Sequence, residues 1–165
     1  MENELFLNDS WTVYFHDQKD NQWNLESYMQ LGNISTVEDW ASFDLLYTDL
    51  WTKGMFFVMR EHVLPMWEDE NNKEGGCISF KVNKPEVSLY WYDLVSTILG
   101  ESVFTNNGRF DEITGVSVSP KRNYCILRIW LGKKTFTRIS EYNFTLPKYT
   151  QVMFKTHMEN KDYEN

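Results

Sequence analysis

The 165-residue chain is 42% hydrophobic and 16% aromatic, with a formal net charge of −8. That length and apolar content suit one domain with a sizeable core and exclude a disordered tail. The acidic balance excludes a non-specific grip on extended nucleic acid, which needs a basic stripe, and leaves a single nucleotide or a chain end as acceptable ligands.

In chain order, Trp11–Phe15 is β-branched and aromatic and predicts a strand. Asp17–Gln22 is a turn-rich loop ending at an isolated indole, Trp23, and Leu25–Leu31 reads as a further strand. Ser35 with Glu38 three residues on predicts a capping box. Val37, Trp40, Phe43, Tyr47 and Leu50 then recur at three- and four-residue steps and fall on one helical face, until Lys53-Gly54 breaks the pattern. Met55–Met59 is a buried strand and Cys77–Val82 an alternating one. Pro85 opens a second helix with Val87, Trp91, Leu94, Val95 and Ile98 on one face, and Gly100 is its expected stop at C′. Ile113–Ser119 and Cys125–Leu131 read as strands around the turn PKRN. Phe136, Ile139 and Asn143 suit a short helix, Thr150–Lys155 a last strand, and the polar segment 159–165 a loose tail after a domain spanning 1–158. Strand pairs joined by short turns favour antiparallel pairing, so the expected class is α+β.

Motifs for catalysis are absent: there is no GxSxG, HExxH, Walker A or GxGxxG. Cys77 and Cys125 lack CxxC spacing and read as reduced thiols of a cytosolic protein; His16, His62 and His157 lack zinc-ligand spacing. The N-terminus has no signal-peptide character, and no apolar stretch is long enough to span a bilayer. No cofactor is expected.

The informative stretch is PMWEDENNKEGG, Pro65–Gly76, which sets an indole beside the carboxylates of Glu68, Asp69 and Glu70. Trp67 and Trp23 both lie in polar loops. Such rings either fold back as lids on the core or face a ligand. Two opposed indoles clamp a flat cationic heterocycle, gaining about 0.5–2 kcal/mol per face from cation–π attraction. A neighbouring carboxylate then accepts two hydrogen bonds from ring donors on the heterocycle's edge, a charge-assisted bidentate contact. A 7-methylated guanine offers that charge and that edge. An acidic run that is simply a solvated face is the plainer alternative.

On these residues the chain resembles the eukaryotic translation initiation factor 4E family of mRNA cap-binding proteins. The most specific likeness is Pro65–Gly76; Ser35–Trp40, Trp91–Glu101, Gly115–Trp130 and the tryptophan-bearing start are similar too, so the resemblance runs from about Leu7 to His157. It implies a curved eight-stranded antiparallel sheet with about three helices on the convex face and the cap in the concave face. By resemblance, Trp23 and Trp67 are the stacking pair, Glu68 reads the guanine edge, the Trp67 backbone N–H meets the guanine carbonyl and Trp130 lies against the N7-methyl group. Lys121 aligns with a phosphate-holding residue, and Arg122 beside it shares that role. Asp69 and Glu70 brace the loop.

The sequence also departs from the family pattern. Asn123 and Ile126 stand where the family carries basic residues, while Arg128 alternates onto the side of Trp130. The family binds a scaffold of the initiation factor 4G type through its helical face. There Val37 and Asp93 are kept and Trp40 lies beside the usual tryptophan position, but that position is Ala41, and the leucine positions are Tyr92 and Ser96. Conventional partners are therefore expected to bind weakly and a dedicated partner to replace them. Such divergence fits a protist or a large DNA virus.

The leading expectation is a monomeric, non-enzymatic cap-binding factor of the cytoplasm (the host's, if viral), with no membrane or DNA partner. A translational repressor or decoy of the same fold is the second reading. A nucleotide hydrolase using Glu68, Asp69 and Glu70 with a divalent metal is the third.

Overall fold

Alternation along the strands decides what each side of the sheet is for. A computed structural model of the protein describes residues 3–105, 110–133 and 139–158. Seven strands, β1 (Phe6–His16), β2 (Tyr28–Thr36), β3 (Met55–Arg60), β4 (Gly76–Asn83), β5 (Ile113–Pro120), β6 (Tyr124–Leu131) and β7 (Met153–Thr156), form one sheet in the order β2-β1-β3-β5-β6-β4-β7. Every pairing is antiparallel. Helices α1 (Val37–Tyr47) and α2 (Val87–Leu99) supply the α part of the fold.

Phe56 and Val58 of β3, with Leu127 and Ile129 of β6, join Trp51, Trp91, Leu94 and Val95 in the main core on the helix side. The residues between them, Met55, Phe57 and Met59 of β3 and Trp130 of β6, form a second cluster on the open side. That two-sided burial is why β3 reads as an unbroken apolar run rather than an alternating one.

The α+β class and the curved antiparallel sheet agree with expectation, but there are seven strands and two α-helices among the described residues, not eight and three. The expected short helix near Ile139 is only the 3-10 turn Ile139–Glu141; Phe136 lies outside the described residues. The 159–165 tail is also outside the described residues. The predicted Leu25–Leu31 strand divides into a 3-10 turn, Leu25–Ser27, and the start of β2.

Helix α1 starts one residue later than its sequence suggests. Ser35 is still in the sheet, so Thr36 is the N-cap: its side chain accepts from Asp39 N, and Asp39 accepts from Thr36 N, completing the box. The helix ends at Tyr47, beyond which the helical period no longer applies; Trp51 is buried where Leu50 had been expected. In α2 all five predicted apolar positions are buried. Gly100 is the C-cap rather than the left-handed residue. That conformation falls to Glu101 (φ 56), with Ser102 N donating to Thr97 O at 3.0 Å and Glu101 N to Ile98 O at 3.1 Å, a Schellman closure.

Arg60 ties three segments together. Its guanidinium donates to Ile113 O at 2.5 Å, Phe110 O at 2.7 Å and Asp9 Oδ2 at 2.6 Å, and lies 4.6 Å from the Trp11 ring centre. Arg60→Ala would leave two carbonyls without this donor and free Asp9 toward solvent. We expect a loss of about 3 kcal/mol in denaturant unfolding, with ligand affinity unchanged.

Candidate functional site

Trp23, at the end of the β1–β2 loop, and Trp67, in the β3–β4 loop, line the same slot. Its floor comes from Tyr28, Met55, Phe57, Ser117 and Trp130, and Glu68 and Arg128 stand at its margin. The enclosed space is about 90 Å³. That is well under the roughly 300 Å³ of an ordinary small-molecule pocket and suits one planar ring with the rest of the ligand outside.

Each wall is held from behind. Trp23 is 43% exposed. One of its faces stacks on the buried imidazole of His16, with ring centres 4.0 Å apart and planes 1° from parallel. His16 Nε2 is fixed 2.8 Å from Gln22 O, and Tyr28 meets the imidazole edge-on at 4.9 Å. The Trp67 loop is braced by two side chains. Asp69 accepts from Leu64 N at 3.0 Å and Asn71 N at 2.7 Å. Fully buried Asn72 donates to Leu64 O and Met66 O at 3.1 and 2.9 Å and accepts from Thr114 Oγ1 at 2.7 Å. The loop closes through Gly75, where a Cβ would stand 1.8 Å from Leu131 O, so the β6 backbone there admits only glycine. Close approach of the two backbones is what the glycine serves.

The Trp130 ring is buried, with Nε1 donating to Ser117 Oγ at 3.0 Å and Phe57 packed against it edge-on. Behind it, 5.1 Å away, is the buried imidazole of His157, 3.2 Å from Leu131 O. Burial pushes His157 down to about 4, whereas an unfolded histidine titrates near 6.5. The stability this neutral ring leaves in place above about pH 6.5 is therefore lost as pH falls toward 4, because only the unfolded chain takes up the proton. Lowering the pH from about 7 to about 5 should cost about 2 kcal/mol through this group. Urea midpoints of wild type and His157→Gln compared across that range test it: the variant's pH slope should be shallower, and equal slopes would clear His157.

The sequence model of the family described as Eukaryotic initiation factor 4E matches residues 6–165. The chain belongs to this family. Among relatives, it is 28% identical over 131 residues to the Eremothecium gossypii eukaryotic translation initiation factor 4E, covering 75% of this chain and 61% of that protein. It is 26% identical over 168 residues to the Homo sapiens factor, covering 93% and 76%. In structure it is similar to C. elegans eIF4E-3 in complex with the 4E-binding protein Mextli and a cap analog, with TM-score 0.78, 20% identity, and 97% and 96% of the two chains covered. It is also similar to Schistosome eIF4E complexed with m7GpppG and 4E-BP, with TM-score 0.70, 22% identity and coverage of 81% and 75%. At these identities the structural likenesses speak for the fold of the family.

Of the residues singled out from the sequence, the initiation factor 4E fold brings Trp23, Trp67, Glu68, Arg128 and Trp130 together at the slot. Lys121 and Arg122 are exposed in the β5–β6 turn, at the opposite end of β6 from Trp130, and are not slot residues. Gln18 donates to Pro120 O at 2.5 Å, tying that turn to the Trp23 loop. Tyr28, Ser117, His16 and Asn72 were not singled out for the site; the first three lie in strands, where nothing in the sequence separates a site residue from core, and Asn72 reads as an ordinary solvated loop residue. Both thiols are buried and unbridged, and burial raises Cys125 to about 11.

On the helix side, Val37 and Tyr92 are 46% and 45% exposed. Trp40 is only 4% exposed: its Nε1 donates to Ser96 Oγ at 2.9 Å and Tyr92 stacks over it with ring centres 6.0 Å apart. It therefore offers no exposed indole to a partner. Asp93 accepts from Thr145 N at 3.0 Å. No helix among the described residues is long and apolar enough to cross a membrane.

Proposed function

We propose that residues 1–158 form one cap-binding domain that captures the 7-methylguanosine 5′ cap of mRNA and acts in translation initiation through a protein partner. One observation carries this reading: two loop tryptophans and a carboxylate converge on a slot floored by a third indole. The cationic base enters between Trp23 and Trp67 and gains stacking and cation–π energy on both faces. Glu68 accepts from the guanine N1–H and N2 amino group, the Trp67 backbone N–H donates to the guanine oxygen, and Trp130 packs against the N7-methyl group. Arg128 lies where the cap phosphates leave the slot; Lys121 and Arg122, in the turn at the far end of β6, add only longer-range charge.

This is binding without chemistry. Asp69, the middle carboxylate of the acidic run, is engaged in bracing the loop instead of facing a ligand. The protein works as a monomer in the cytoplasm, where mRNA is translated. Its partner is a scaffold of the initiation factor 4G type or a 4E-binding protein, docked on the helix side around Val37 and Tyr92. Because Trp40 is covered by Tyr92, that surface favours a dedicated partner. The same feature supports the second reading, a repressor or decoy that holds the cap without recruiting the usual scaffold.

Titration with 7-methyl-GTP, with GTP alongside, tests the proposal through tryptophan fluorescence. Strong quenching by the methylated nucleotide alone is expected. Equal quenching by both, or none, would sink it.

A further inference from the structure

A second, larger groove of about 800 Å³ opens beside the slot and shares Arg128 with it. Its charge is unlike that of the chain as a whole. Among the described residues, Lys81, Arg128, Lys148 and Lys155 line it against a single acid, Glu86, although the protein's net charge is −8. The sheet register sets Lys155, Arg128 and Lys81 in order. Trp130 pairs with Cys77, and Cys77 with Lys155, so Lys155 is on the same rung as the slot floor, two strands away, or about 10 Å. Arg128, on the next rung of the same face, pairs with Ser79; Lys81 is one rung further along β4. Lys81 Nζ lies 4.7 Å from the Tyr124 ring centre.

The far wall of the groove is the segment before β7, and it presents an aromatic ring. Tyr149 is fully exposed and adopts φ 63, a left-handed conformation that costs a non-glycine residue about 1–2 kcal/mol. Its neighbour Thr150 is anchored by a 2.8 Å hydrogen bond to Lys81 O, which fixes the segment on β4. A backbone held against its preference so that a tyrosine faces solvent beside four cations has the parts of a single-strand nucleic-acid site: charge for the backbone and a π face for a base.

We propose that this groove binds the ribonucleotides that follow the cap. Lys155, Arg128 and Lys81 track the phosphates leaving the slot, and Tyr149 stacks a downstream base. The inference rests on the cap-binding reading, because the slot supplies the strand's 5′ end. It adds phosphate-binding charge from β4, β7 and the segment before β7 to that of Arg128, beside the uncharged Ile126 that pairs with Lys81 and lines the same groove.

The test compares 7-methyl-GTP, a 7-methyl-capped pentaribonucleotide and the same oligonucleotide uncapped, at low and physiological salt, on wild type and a Tyr149→Ala/Lys148→Glu double variant. Both substituted residues are outside the slot and exposed or part-exposed, so the fold and the 7-methyl-GTP affinity should be kept. In wild type the capped oligonucleotide should bind about tenfold more tightly than 7-methyl-GTP, with a steeper salt dependence. The variant should lose that advantage. If 7-methyl-GTP binds normally but the oligonucleotide gains nothing, or the gain survives in the variant, the groove proposal is overturned and the cap reading stands. If 7-methyl-GTP itself fails to bind, both fall.

Discussion

Trp67→Ala is expected to weaken 7-methyl-GTP binding by roughly 100-fold and to abolish most of the preference over GTP. Removing one stacking face forfeits about 1–3 kcal/mol, and the lost cation–π attraction adds to it for the charged base alone. Taken together these approach 3 kcal/mol, about two factors of ten in affinity. GTP, whose base is neutral, loses only the stacking share, so the two affinities converge. Binding does not vanish, because Trp23 remains backed by His16 and the residue 67 backbone N–H is still in place. The variant should fold normally, since Asp69 and Asn72 hold the loop by hydrogen bonds that do not involve the indole. Trp67→Phe, which keeps a ring, should retain most of the affinity. An unchanged Kd for the alanine variant, measured by calorimetry to avoid the lost fluorophore, would remove Trp67 from the clamp.

What the sequence disclosed follows from how locally each feature is determined. Helix α2 was legible because its buried residues recur within one element. Helix α1 was legible in part: the capping box was recognisable, but its position depended on Ser35 being held in the sheet, a non-local fact. Trp23, Trp67 and Glu68 stood out because large rings in polar loops have no local structural reason to be there. Tyr28 and Ser117 did not, because they sit in strands where alternation is satisfied whichever side carries the ligand. Lys121 and Arg122 came from resemblance, and their turn lies outside the slot lining. Of the second groove's cations, those at 81, 128 and 155 are made neighbours by sheet register, and Lys148 joins them from the segment before β7, so no local pattern in the sequence links them.

The strongest test of base identity is Glu68→Gln, for which a loss of about 3 kcal/mol, again roughly 100-fold, is expected for 7-methyl-GTP. A carboxylate presents two acceptors to the N1–H and N2 amino donors of the guanine edge. Glutamine keeps one acceptor, turns the other into a donor facing a donor, and removes the negative charge opposite a cationic ring. The stacking faces stay intact, so fluorescence quenching at saturation should persist while its midpoint moves, unlike the Trp67→Ala result. Hydrogen bonding is separated from charge by 7-methyl-ITP, which lacks the N2 amino group. On wild type, removing that donor should cost about tenfold, the worth of one hydrogen bond to a charged acceptor. On Glu68→Gln the two nucleotides should bind about equally, because the acceptor that distinguished them is gone. The coupling between the two changes isolates the contact itself. If the inosine analogue lost the same factor on both proteins, the guanine edge would have to be read by another group, and Glu68 would be left as a source of field alone.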